Sequence, residues 1–146
     1  MKTKLIVMAL MVTVLLVAVA CSPAEASPAA EANIEVSADE FANTNNIAKE
    51  VVVAEGCTIT VTLGSNPSTG FSWDEGAHIA DPTVLQQTGS EMVPAEGQGL
   101  VGAPGAQVWT FKALTQGTTI VSMQYSRPWE GGEKAVWTFD LTVTVK

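Results

Sequence analysis

Cys57-Thr58-Ile59-Thr60-Val61-Thr62-Leu63 alternates apolar and polar residues without a break. Successive side chains of a strand point to opposite faces, so Cys57, Ile59, Val61 and Leu63 share the inward one. The polar partners are all threonine, a β-branched residue suited to a pleated surface. The strand runs into Asn66-Pro67-Ser68-Thr69-Gly70-Phe71-Ser72-Trp73. Asn-Pro forces a turn there, because the residue before proline is pushed out of the helical region. Ser68 and Thr69 can hydrogen-bond local backbone or a partner, and Gly70 permits a positive φ. Phe71 and Trp73, two apart, share a face of the next strand. This is a strand, a polar loop tip and an aromatic-anchored strand.

The same period recurs outward from this point. Ile34 and Val36 alternate with Asn33, Glu35 and Ser37. Val51-Val52-Val53 is a β-branched run, and Glu55-Gly56 after it is expected to close a hairpin with the 57–63 strand. Asp39 to Asn46 is polar and is expected to be a loop. Downstream, strands are expected at Phe71–Trp73, briefly at Val84-Leu85 and Ser90–Pro94, and at Gln107–Leu114, Thr118–Tyr125 and Ala135–Val145. Ala95 to Ala106 (AEGQGLVGAPGA) is a long glycine-rich loop, and Ser126 to Lys134 (SRPWEGGEK) is another. No segment sustains a helical period. About seven short strands with Gly- and Pro-rich turns predict an all-β, immunoglobulin-like sandwich.

The first twenty residues belong to something else. Lys2 and Lys4 precede an apolar run, Leu5 to Leu16, broken only by Thr13. Ala18-Val19-Ala20-Cys21 follows, so residues 1–20 read as a secretory signal. The cysteine after small residues resembles a bacterial lipobox, with Ala18 where leucine is usual. That resemblance implies lipidation of Cys21 and an exported, envelope-anchored lipoprotein facing the periplasm or the outside. Ser22 to Ala32 (SPAEASPAAEA) cannot form a core and is expected to be a flexible linker, leaving residues 33–146 as the domain.

Without residues 1–20 the chain keeps five basic and fifteen acidic side chains, a net charge near −10. Nucleic acid is bound through clustered Lys and Arg, so it is excluded as a partner. Anionic lipid would repel the domain, so membrane contact is expected through the lipid alone. With Cys21 lipidated, Cys57 has no disulfide partner and is expected to be a small buried core residue.

Catalysis finds little support. His78 is the only histidine and lies in a weakly structured stretch. There is no Gly-x-Ser-x-Gly elbow, no His/Cys metal cluster and no calcium-loop spacing of acids. The glycine-rich Gly99 to Gly105 has no lysine partner and no strand-to-helix context, so it is no phosphate cradle. No enzyme, metal or cofactor is expected.

What remains is three loops: Asn66 to Phe71, Gly99 to Gly105, and Arg127-Pro128-Trp129-Glu130-Gly131. Arg127 is the sole arginine of the chain and stands beside a loop tryptophan, and Arg and Trp are the commonest interface hot spots. In an immunoglobulin-like topology the first and third loops leave the sandwich at the same end. The glycine-rich loop joins them only in a variant topology.

Taken together, the chain resembles the chagasin-like inhibitors of papain-family cysteine peptidases. That family carries Asn-Pro-Thr-Thr-Gly-Tyr/Phe, a Gly-x-Gly-Gly segment and Arg-Pro-Trp in three successive loops. Here they are Asn66-Pro67-Ser68-Thr69-Gly70-Phe71, Gly102-Ala103-Pro104-Gly105 and Arg127-Pro128-Trp129. The resemblance covers about residues 33–146. It implies a reversible, tight-binding, monomeric inhibitor that wedges the three loops into a papain-like peptidase's cleft. Ser68 and Thr69 would lie nearest the catalytic cysteine, the glycine-rich backbone along one side, and Arg127 and Trp129 against the other wall. Two positions depart from the family pattern. Ser68 replaces a threonine and loses only a methyl. Pro104 replaces a glycine and removes a backbone donor. The competing expectation is an immunoglobulin-like surface module for adhesion or envelope assembly, which has no need for these loops to converge.

Overall fold

A computed structural model of the chain describes residues 29–94 and 104–146. Its strands are β1 (Ala29–Val36), β2 (Asn46–Ser65), β3 (Ser72–Trp73), β4 (His78–Ile79), β5 (Leu85–Val93), β6 (Gly105–Ala113), β7 (Gly117–Ser126) and β8 (Trp137–Val145). One helix, α1 (Ala38–Asn43), precedes β2. The strands form one curled sheet in the order β3-β7-β8-β2-β6-β5, with β1 beside β2 and β4 beside β7. This is the all-β, immunoglobulin-like sandwich expected from the strand pattern.

The long strand β2 belongs to both layers. Asn46 to Val53 pairs parallel with β8. Thr58 to Ser65 pairs antiparallel with β6 and, through Thr58 to Leu63, parallel with β1. The expected hairpin at Glu55-Gly56 is therefore absent. Gly56 takes φ +78, and the chain bends there and runs on instead of reversing. A Glu-Gly pair permits either outcome, and β8 and β6 each claim one half of the strand.

Two further expectations are corrected. Residues 39–46 are not all loop: Ser37 caps α1 by accepting from the Glu40 backbone N–H at 3.2 Å, with Asp39 and Glu40 in the first turn. Acids there complement the positive helix end. A side chain on Gly64 would collide with the Ala38 backbone nitrogen, so glycine lets α1 dock on β2. The helix buries Phe41 completely. At the N-terminal side, β1 starts at Ala29, four residues inside the stretch expected to be linker. Pairing with β2 supplies the order that its composition lacks.

The core follows the period-two pattern. Cys57, Ile59, Val61 and Leu63 of β2, Trp109 and Phe111 of β6, Val121, Met123 and Tyr125 of β7, and Phe139, Leu141 and Val143 of β8 are all buried. Each large apolar side chain so buried contributes roughly 1.5–3 kcal/mol. Cys57 is a buried free thiol, as expected. Burial, and then nearby Glu31, push its pKa up and hold it as the unreactive thiol. His78 is exposed and lies on β4.

Candidate functional site

Strand direction places the ends of the three loops. β2 ends at Ser65 and runs into the first loop. β6 is antiparallel to it and starts at Gly105, directly opposite Ser65, where the glycine-rich connection ends. β7 ends at Ser126, opposite Ser72 of β3, so the third loop leaves beside the end of the first. β5 and β6 pair antiparallel, and the end at which their connection leaves and returns, Val93 and Gly105, lies next to the first loop, as the variant topology requires. Gly102 and Ala103 lie outside the described residues. Pro104 is exposed and lines a mainly apolar groove of about 430 Å³ with Asn66, Thr69, Phe71 and Tyr125. Gly105 is already the first residue of β6 and pairs with Ser65.

The first loop is tied by short-range bonds. Pro67 to Thr69 form a single 3-10 turn, and Gly70 ends it at φ 78, ψ 2. The Gly70 N–H donates to the Pro67 carbonyl at 3.1 Å. The Thr69 hydroxyl donates to the Asn66 carbonyl at 2.6 Å, and the Ser68 hydroxyl to the Asn66 side-chain oxygen at 2.5 Å. The Asn66 N–H donates to the Tyr125 hydroxyl at 2.8 Å, fixing the loop base to β7. Pro67, Ser68 and Thr69 stay exposed at the tip.

Below the tip runs an aromatic stack that no single motif announced. Phe41 stacks on Trp137 (5.3 Å between centroids), Trp137 on Tyr125 (4.7 Å), and Tyr125 on Phe71 (5.5 Å). The Arg127 guanidinium lies 4.4 Å over the Phe71 ring and 5.8 Å from that of Trp129. The Trp73 indole N–H donates to the Gly64 carbonyl at 2.9 Å and locks β3 beneath the loop. The spacing of Phe71 and Trp73 was legible, but the stack joins residues that lie far apart in the chain.

The third loop closes on itself. The Arg127 N–H donates to the Glu133 carbonyl at 2.8 Å, and the Gly132 N–H to the Trp129 carbonyl at 3.1 Å. Lys134 donates to the Arg127 and Trp129 carbonyls at 2.5 and 3.1 Å. Trp129 projects from this turn and remains 52% exposed, while Pro128 beside it is also exposed. Arg127 lies across Phe71 and its side chain stays 36% exposed.

Fold and sequence match together define a class, the immunoglobulin-like peptidase inhibitors. Residues 52–143 match the Chagasin family peptidase inhibitor I42, and the chain belongs to that family. It is an inhibitor and not an enzyme. It is 33% identical over 90 residues to Amoebiasin-2 of Entamoeba histolytica, covering 60% of this chain and 70% of that one. It is also 33% identical over 82 residues to Chagasin of Trypanosoma cruzi, covering 56% of this chain and 74% of that one. Among solved structures it is similar to EhICP2, the cysteine protease inhibitor of Entamoeba histolytica, with TM-score 0.62 at 23% identity over 80% of this chain and 97% of that one. It is similar in fold to PbICP-C, solved in complex with falcipain-2, with TM-score 0.55 at 17% identity over 78% and 98% of the two chains.

Proposed function

We propose that the protein is a reversible, tight-binding inhibitor of papain-like cysteine peptidases, acting as a monomer. Family membership supports peptidase inhibition; EhICP2 is described as a cysteine protease inhibitor, and PbICP-C was solved in complex with falcipain-2. The observation that carries the mode of action is the meeting of two motifs at one edge. Ser68 and Thr69 stand exposed at the tip of the first loop, and Trp129 stands half-exposed beside it. In this reading Asn66 to Phe71 enters the cleft, Gly102 to Gly105 lies along one side, and Arg127-Pro128-Trp129 meets the other. The first and third loops are braced by the sandwich, so binding orders little of them, and the reading requires no covalent bond. The adhesion-module reading does not require exposed Trp129 next to Ser68 and Thr69. Titration of papain with the domain from residue 29 tests the proposal. Stoichiometric, reversible loss of peptidase activity is expected, and full activity at micromolar inhibitor would refute it.

We further propose that Cys21 carries lipid and that the domain is displayed on the envelope. β1 supports a particular presentation. It is parallel to the second half of β2, so Val36 lies opposite Leu63 near the first loop, and Ala29 lies opposite Val53 at the far end. The eight residue steps from Cys21 to Ala29 reach at most about 28 Å. An anchor there attaches to the end opposite the inhibitory loops and turns them away from the bilayer. Globomycin-sensitive incorporation of labelled palmitate, lost in Cys21→Ala, is the expected signature of lipidation.

A further inference from the structure

We infer that Arg127 is a positioning residue: with Glu133 and Lys134 it braces the third loop against the first, instead of serving mainly as a contact to the peptidase. The inference rests on the inhibitor reading for its purpose and on local geometry for its substance. The Arg127 guanidinium folds back on the protein, with its side chain 36% exposed. Its face covers Phe71 at 4.4 Å. One terminal nitrogen donates to the Glu133 carboxylate at 3.2 Å, and the other reaches the Thr69 carbonyl of the first loop at 3.5 Å. Its Nε is buried and has no hydrogen-bond partner. A fork presented to a partner would keep that nitrogen in water, because an unpaired buried donor costs free energy.

The turn is built around the same side chain. The Arg127 backbone N–H and its guanidinium both bond Glu133, so one residue closes the loop through main chain and side chain together. Lys134 gathers the carbonyls of Arg127 and Trp129. A Cβ on Gly132 would stand 2.7 Å from the Arg127 Cβ and 2.9 Å from its carbonyl oxygen, so only glycine lets the turn close this tightly. The brace thus links Thr69, Phe71, Arg127 and Trp129 into one unit. It sets the distance between loop tip and tryptophan before any peptidase arrives, and pre-organised loops bind with less ordering cost.

Glu133 and Lys134 separate this from direct contact, because both are exposed and neither belongs to the Arg-Pro-Trp motif. Glu133→Gln and Lys134→Met are expected to keep the melting temperature and to lower the heteronuclear NOE of the Trp129 indole N–H in the free protein. The Trp73 and Trp109 indoles should not change. Against papain, Glu133→Gln is expected to raise the inhibition constant about two- to fivefold, the size of a solvent-screened ion pair. Arg127→Met and Phe71→Leu are expected to be non-additive, the double variant inhibiting about as well as the weaker single one. An unchanged Trp129 indole in both exposed variants overturns the inference. So do multiplying losses for Arg127 and Phe71 with a neutral Glu133→Gln. Failure of the unmodified protein to inhibit papain would sink the inhibitor reading alone, since the indole measurement needs no peptidase.

Discussion

The indole of Trp129 occupies the space that a side chain on Gly70 would need: a Cβ built on Gly70 would stand 2.6 Å from Trp129 Cη2. The two residues belong to different loops, and their closeness sets the tip of the first against the tryptophan of the third. Gly70 is required twice here, once for φ +78 and once for the approach of the ring.

Gly70→Ala should therefore damage inhibition more than folding. Holding alanine in the left-handed region costs about 1–2 kcal/mol. The indole is half-exposed and can swing out, so the collision is relieved by losing its bound orientation. A fall of a few degrees in melting temperature with at least about a tenfold weaker papain inhibition is expected. Unchanged inhibition would show that the placement of Trp129 beside Gly70 is irrelevant.

Trp129→Ala tests the proposed anchor itself. A hot-spot tryptophan carries roughly 2–4 kcal/mol of binding, a loss of about 30- to 1,000-fold in affinity. Its 52% exposure means that little core is lost, so the thermal transition should move by a degree or two. A large drop in stability would place the ring in the fold instead of the interface.

Phe41→Ala tests the other end of the aromatic stack. Phe41 is fully buried, 5.0 Å from the Trp73 ring and 5.3 Å from that of Trp137. Truncating a buried phenylalanine costs about 3–5 kcal/mol, a large part of a small domain's stability. A clear shift of the urea midpoint is expected. A shift equivalent to less than about 1 kcal/mol would mean that α1 is not part of the core.

Phe41 also marks what the sequence conceals. It is one large apolar residue among small and polar ones, and six helical residues are too few to display a period. The alternating strands were legible because every second residue faces the core, as Ile59, Val61 and Leu63 do. The bend at Gly56 was not, because a glycine with positive φ serves a hairpin and a strand changing layers equally well. The convergence of the loops depends on β6 lying next to β2, which is strand order and leaves no local trace. Asn66 to Phe71 and Arg127-Pro128-Trp129 were found by motif, whereas the inward set of Arg127 rests on Glu133, six residues away and outside the motif.

Asp81 gives a pH dependence with a definite sign. Its carboxylate accepts from the Thr83 hydroxyl at 2.6 Å and from the Thr83 N–H at 2.9 Å. The hydroxyl bond first, then the backbone bond, hold its pKa below the ordinary aspartate value. A depressed pKa contributes stability above the unfolded value, and that contribution disappears as pH falls through the folded one. Asp81→Asn should be less stable than the unmodified protein at neutral pH, with the gap closing below about pH 4. Melting curves across pH 2–7 check this, and a gap constant over that range would contradict it.

The direction of β1 makes the proposed anchor testable as a matter of orientation. Ala29 lies beside Val53, and the Glu55 N–H donates to the Lys146 carbonyl at that same end, so both ends of the described chain gather opposite the loops. An anchored domain turned this way leaves its inhibitory edge open to a soluble peptidase. The lipidated protein on phosphatidylcholine vesicles should inhibit papain within about twofold of the lipid-free domain, since neutral lipid adds no charge repulsion. Moving the anchor to the opposite end, by a palmitoylated cysteine in place of Glu35, which is exposed near the loop end of β1 and outside all three motifs, would press that edge against the bilayer. Inhibition should then vanish on vesicles. Its full retention in detergent-free vesicles would show that the loops reach the peptidase regardless of where the chain is tethered.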